Sequence, residues 1–261
     1  MDENFQTYLN RAMRMTLPDA YRNQLQNIQE SPKFEPHPDQ GFVPTNFPGY
    51  SIITPSKRDE SPGNQALYDL LEQSQTDLVN EFGTDVFASV SPASFHLTLA
   101  DLIWDSAYRH AEEDPAFEAQ LQIQIADIFQ ACQPISQGKP IPFQVLGLML
   151  MPRSVCVCLG PTDEASYDRI LKFRRAIYQN QSLMGLGIEQ QYYFTPHITL
   201  GYFGAVPSSE KRTQLSDRLA QLNQPWVGKT PQVYEVHQAE LYKFDHMNHY
   251  YREPDWATFK F

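Results

Sequence analysis

One short phrase occurs twice in this chain. Ser94-Phe95-His96-Leu97-Thr98-Leu99 is answered by Thr195-Pro196-His197-Ile198-Thr199-Leu200. Side chains alternate between the two faces of an extended strand, so His96 and Thr98 point one way and Leu97 and Leu99 the other. The same holds for His197 and Thr199 against Ile198 and Leu200. Such a strand turns its aliphatic face to a core and its imidazole and hydroxyl to a cleft. Two of them facing each other gather two imidazoles and two hydroxyls around one small volume.

The sequence around each copy has a common order: a helical pattern, a strand or loop region, the His-Thr strand, and a further helix. The first half places a strand at Gly49–Thr54, a polar loop up to Gly63, a helix from Asn64 to Phe82 and a short strand from Val86 to Val90. The His-Thr strand follows from Phe95 to Trp104, then a helix from Pro115 to Cys132. The second half places strands at Ile141–Met151 and Ser154–Leu159, joined through Met151-Pro152-Arg153 as a hairpin. A helix runs from Glu164 to Gln179, with Lys172, Arg174 and Arg175 on its polar side. The second His-Thr strand spans Thr195–Phe203, and a helix capped by Ser208 extends to Leu222. Strands near Gln232–Phe244 and Trp256–Phe261 close the chain. This is a weak internal repeat at a period of about 100 residues, too long for a solenoid. It implies an α+β fold of two similar lobes with antiparallel sheets meeting at a cleft.

Residues 1–48 stand apart as a helical and proline-rich extension, leaving 49–261 as the two-lobed domain. Helical spacing of Phe5, Tyr8, Leu9, Ala12 and Met13, then Leu25 and Ile28 beyond Pro18, gives two helices that either pack on the body or mediate dimerisation. Ser31 to Pro48 reads as an irregular connector.

Composition narrows the partners. The formal net charge of −11 repels a long phosphate backbone, which disfavours extended duplex binding and leaves a small phosphorylated ligand or an RNA end. Three cysteines form no disulfide framework, which fits a reducing compartment. Cys156 and Cys158 share a face of one strand and read as buried packing residues. No apolar run is long enough to span a bilayer, and no signal-like leader opens the chain, so the expected location is cytoplasmic.

Histidine takes and gives protons near neutrality. Opening a cyclic phosphodiester with water needs a base for the nucleophile and an acid for the departing alkoxide, on opposite sides of phosphorus. His96 and His197 supply both without a metal. Thr98 and Thr199 supply hydroxyl donors for the charge that builds on the non-bridging oxygens. No Gly-x-Ser-x-Gly elbow is present, which argues against acyl transfer.

The two motifs, their spacing and the order of elements resemble the 2H phosphoesterase superfamily, over roughly Gly49 to Phe261. That group includes RNA 2′,3′-cyclic phosphodiesterases, bacterial RNA ligase-like enzymes and plant ADP-ribose cyclic phosphate hydrolases. The resemblance implies a bilobal fold with pseudo-twofold symmetry, one lobe holding the chain's ends and the other its middle. It implies His96 and His197 as the catalytic pair, Thr98 and Thr199 as phosphate-binding hydroxyls, and neither metal nor nucleotide cofactor. The substrate would be a small nucleotide or an RNA terminus. Two other classes stay open: a module that holds a phosphorylated ligand without turnover, and an interaction protein working through its N-terminal helices.

Further candidate contacts are Tyr50, beside a cleft strand, Arg153 at the hairpin turn, and Lys243 beside the C-terminal strand. Strict alternation from His197 puts Tyr202 on the face opposite the histidine. His246-Met247-Asn248-His249 has a metal-like spacing without an acidic partner, and His37, His110 and His237 have no partner motif. Which histidine is base, and the oligomeric state, are not set by the sequence.

Overall fold

The computed structural model describes residues 3–56, 62–227 and 232–261; the polar loop expected before Gly63 falls mostly outside them. The amphipathic N-terminal stretch forms α1 (Phe5–Arg14) and α2 (Pro18–Leu25). Asn4 caps the first by accepting the Thr7 amide at 2.8 Å. Pro18, which lacks an N–H, opens the second. The proline-rich connector is more regular than expected, because β1 (Phe34–His37) and β2 (Gly41–Pro44) pair as an antiparallel hairpin.

Then come β3 (Gly49–Ile53), α3 (Gln65–Phe82), β4 (Phe87–Ser89) and β5 (Thr98–Trp104). Gly83, at φ +82°, ends α3 in a conformation that side chains resist, and its amide bonds back to Val79. A short helix, α4 (Asp105–Ala111), follows β5 directly; about two turns are too few for periodicity to reveal it. Next are α5 (Phe117–Ala131), β6 (Ile141–Leu150), β7 (Ser154–Pro161), α6 (Glu164–Tyr178) and α7 (Gln181–Gly185). The chain closes with β8 (His197–Phe203), α8 (Ser209–Leu222), β9 (Val233–Val236), β10 (Gln238–His246), β11 (His249–Tyr251) and β12 (Thr258–Lys260).

Among the described residues these strands build two five-stranded antiparallel sheets besides the hairpin. A terminal sheet runs β11-β10-β3-β5, with β12 also paired to β10, and a middle sheet runs β4-β8-β7-β6-β9. The order β5-β3-β10 in one repeats as β8-β7-β6 in the other. The α+β, two-lobed, pseudo-twofold architecture expected from the sequence is therefore present, with each His-Thr strand at an equivalent place.

Each sheet is backed by helices. α5 packs on β12, and α6 on α5 and β5. Phe129, Phe173, Phe259 and Phe261 form one aromatic cluster there, with ring centroids 5.0 to 6.0 Å apart, which pins the C-terminal strand. On the middle sheet α3 meets β4 and β8, and α8 meets α2 and α3. The N-terminal helices pack on the body: Tyr8 and Tyr21 are fully buried, and their hydroxyls donate to the Leu159 and Leu148 carbonyls. Asn223 ties the same region together by accepting the Leu148 amide and donating to the Thr16 carbonyl. Arg174 differs from expectation. Its guanidinium is buried over the Tyr178 and Phe194 rings, where the sequence pattern had placed it on a polar face. No described helix is long and apolar enough to cross a membrane.

Candidate active site

A cavity of about 900 Å³ lies between the two sheets, and His96, Thr98, His197 and Thr199 all line it. His197 and Thr199 belong to β8. His96 stands just ahead of β5, where Leu97 continues the pairing: its carbonyl accepts the Thr54 amide and its own amide donates to the Thr54 hydroxyl. Both imidazoles are held the same way. His96 Nδ1 lies 2.7 Å from the Ser94 carbonyl, and His197 Nδ1 lies 2.7 Å from the Thr195 carbonyl. A carbonyl only accepts, so each Nδ1 carries the hydrogen and each Nε2 keeps its lone pair. Burial drives both rings toward the neutral form, His96 down to about 4 and His197 in the same direction. The His96 ring also packs against Tyr250, at 4.5 Å between centroids.

The threonine hydroxyls are lightly engaged. Thr199 Oγ1 has the Cys156 sulfur at 3.7 Å, and Thr98 has no protein partner among the described residues. Cys156 and Cys158 pair in register with Thr199 and His197 from β7. Burial pushes their thiols up to about 11 and about 12, so neither is a thiolate at neutral pH. Both are buried packing residues, as the strand pattern implied.

Both His-Thr strands then break the alternation rule at the same point. Along β8, Thr199 pairs with Cys156 and Gly201 with Val155, so Leu200 is an extra residue. Along β5, Thr98 pairs with Ile53 and Ala100 with Ile52, so Leu99 is the extra one; Leu102 is skipped likewise. Each bulge resets the phase, and residues beyond it return to the cleft face. Thr98, Asp101 and Trp104 are therefore the partly exposed positions of β5, and His197, Thr199 and Tyr202 those of β8. Tyr202 lines the cavity, which corrects the reading that put it on the far face. Asp101 and Tyr202 hold corresponding places, each five residues after its histidine. Buried side chains take up the carbonyls of the bulged residues: Gln75 donates to Leu200 at 2.7 Å, and also to Val90 at 2.8 Å, while Arg174 donates to Leu99.

Two carboxylates line the cavity, Asp101 and Asp105, and the second faces Arg109 at 3.6 Å; Asp101 stands in register with the cleft face of β5. Asp101 accepts from the Tyr192 hydroxyl at 2.6 Å, which joins the segment before β8 to β5, and the Ser51 hydroxyl stands 3.4 Å away. Arg153 lines the cavity, and so does Lys33. Tyr50 and Lys243 do not. Tyr50 is fully buried among Tyr108 and Trp256, because its neighbour Ser51, opposite Asp101, takes the cleft face. Lys243 lies over the Tyr50 and Tyr108 rings, paired with Glu118 at 2.5 Å. Both corrections follow from one cause: these side chains occupy the outer face of the terminal sheet. Among the described residues, no three His, Cys, Asp or Glu side chains gather as a metal-binding group.

Sequence reasoning missed Lys33, Asp101, Tyr192 and Tyr250. Only Asp101, five residues after a motif histidine, had a local signal to follow.

No protein-family profile matches this chain, and no curated relative does. Solved structures do. ATU0111 from Agrobacterium tumefaciens, described as a conserved protein of unknown function, is 15% identical with a TM-score of 0.58, over 85% of this chain and 90% of that one. TT0787 from Thermus thermophilus is 15% identical with a TM-score of 0.44, over 81% of this chain and 96% of that one. E. coli LigT complexed with phosphate is 16% identical with a TM-score of 0.38, over 83% of this chain and 98% of that one. The first of these likenesses establishes a shared fold over most of both chains.

Proposed function

We propose that this chain is a two-histidine phosphoesterase that opens a 2′,3′-cyclic or related cyclic phosphate of a small nucleotide or an RNA end, without a metal. The observation that carries the reading is the matched pair of imidazoles. Each has its hydrogen fixed on Nδ1 by a backbone carbonyl and its lone pair on Nε2, and both line one cavity beside a threonine. A cavity of about 900 Å³ has the size of a small-ligand site.

The chemistry follows from that arrangement. An anionic phosphate between the rings favours proton uptake, so one imidazole enters the reaction protonated and the other neutral. The neutral Nε2 takes a proton from water as the water oxygen bonds to phosphorus. The bond from phosphorus to one ribose oxygen breaks, and that oxygen receives the proton of the other ring. The two rings have then exchanged protonation states. Thr98 and Thr199 donate to the non-bridging oxygens, where negative charge accumulates.

The test is hydrolysis of a panel of 2′,3′-cyclic nucleotides in EDTA by the wild-type protein and by His96→Ala and His197→Ala. The expected result is EDTA-resistant opening that falls by at least about a hundredfold in either variant. Wild-type protein that binds these nucleotides and converts none of them would leave a ligand-holding module instead.

A further inference from the structure

We infer that the N-terminal extension is part of the catalytic apparatus, and that Lys33 is the cation that binds the reacting phosphate. The inference rests on reading the cleft as a phosphate site, and adds to it a residue from outside the two-lobed body.

Residues 29–47 run across one end of the cleft and are fastened to both sheets. The Gln29 and Ser31 amides donate to the Pro152 and Phe203 carbonyls at the end of the middle sheet, each at 2.8 Å. The Phe47 amide donates to the Asp245 carbonyl of the terminal sheet at 2.8 Å. Between these anchors lies the β1–β2 hairpin, and Gln29, Ser31, Pro32, Lys33 and Phe47 form a wall of the cavity that holds both histidines.

The backbone of Lys33 is clamped on both sides. Its amide lies 3.3 Å from the Ser31 hydroxyl, and its carbonyl accepts the Thr45 amide at 3.0 Å. The side chain extends between two aromatic faces, with Nζ 5.0 Å from the centroids of Phe47 and Tyr202. Its hydrogen-bond partner is the Tyr202 hydroxyl, at 3.4 Å. An ammonium has three donors, so the group is oriented and largely unspent.

No described carboxylate pairs with it. Arg11, Arg109, Lys172, Lys211, Lys243 and Arg252 each face an acid, whereas the two cations that line this cavity, Lys33 and Arg153, have none among the described residues, and of the two Lys33 is the one held between aromatic rings. A fixed cation among aromatic walls, open to a cleft with two neutral imidazoles and two lightly engaged hydroxyls, is a seat for an anion. Coulomb repulsion from Lys33 also acts on both histidines, in the direction opposite to Asp101.

The experiment uses full-length Lys33→Met and Lys33→Arg. It reads inorganic phosphate affinity by calorimetry, cyclic-nucleotide hydrolysis, and histidine titration by NMR, after thermal melts confirm that each variant is folded. Lys33→Met should bind phosphate at least about tenfold more weakly and lose a similar factor in kcat/KM, as expected for a charge-assisted contact to the anion. Its histidines should titrate at higher pH once the cation is gone, while Lys33→Arg, which keeps the charge, should leave them at their wild-type positions; a cleft loosened by loss of packing would raise them in both variants, because burial is the larger cause of their lowering. Lys33→Arg should keep phosphate binding within about threefold, since the charge is retained. Wild-type phosphate affinity in Lys33→Met would overturn the inference, even with a hydrolytic wild type. Weakened phosphate binding in Lys33→Met, beside a wild type that hydrolyses nothing, would uphold the anion site and remove the proposed reaction.

Discussion

Anion binding in this cleft should be accompanied by proton uptake. Burial holds His96 down at about 4 and lowers His197 as well, so near neutrality the ligand-free protein carries two neutral imidazoles. Protonating a group about three units above its pKa costs about 4 kcal/mol. A unit negative charge about 4 Å from the ring returns about 4 kcal/mol at the effective dielectric of a partly buried site. The two terms are of equal size, so a bound dianion brings the titration of the pair back toward neutrality. The complex is protonated and the free protein is not, so affinity rises as pH falls, by up to about tenfold per unit, and levels off near the free value of about 4. Sulfate is the suitable probe because it stays a dianion over this range. Its dissociation constant should be measured by calorimetry from about pH 8 to about pH 5, in buffers of different ionisation enthalpy to count protons. His96→Gln with His197→Gln should abolish the dependence. A sulfate affinity that stays flat over that range in the wild type would refute the reasoning.

Two further predictions concern the bulge that aims the second strand. Gln75→Leu removes the donor to the Leu200 and Val90 carbonyls and should cost about 1–3 kcal/mol in urea unfolding, with a raised KM as Thr199 and Tyr202 lose their fixed phase. Gly201→Ala would drive a methyl into the Phe87 ring and set it 2.7 Å from the Ala88 carbonyl. Overpacking of that kind costs about 1–3 kcal/mol, so the variant should melt several degrees lower; an unchanged melt would show that β4 yields freely.

The parts of this protein that could be read from sequence are those governed by local rules. Helical spacing located α3, α5 and α6, and alternation placed His96, Thr98, His197 and Thr199 on the cleft side of their strands. Asp101 and Tyr202 were not legible because alternation assumes an unbroken ladder, and a bulge inverts every assignment beyond it. Tyr50 failed for a related reason: a position next to the cleft strand says nothing about which face it takes. Lys33 and Tyr250 reach the cleft through tertiary folding of distant segments, one from the extension and one from the C-terminal hairpin. Arg174 looked like surface charge because helical phase alone does not reveal that a neighbouring sheet offers a bulged carbonyl to bind.

The fastening of residues 29–47 to both sheets has a mechanical meaning. A two-lobed protein joined only through its chain crossings can open like a jaw, and the distance between its two imidazoles then varies with every ligand. Here Gln29 and Ser31 grip one lobe and Phe47 grips the other, so the segment acts as a tie bar that sets the gauge of the cleft.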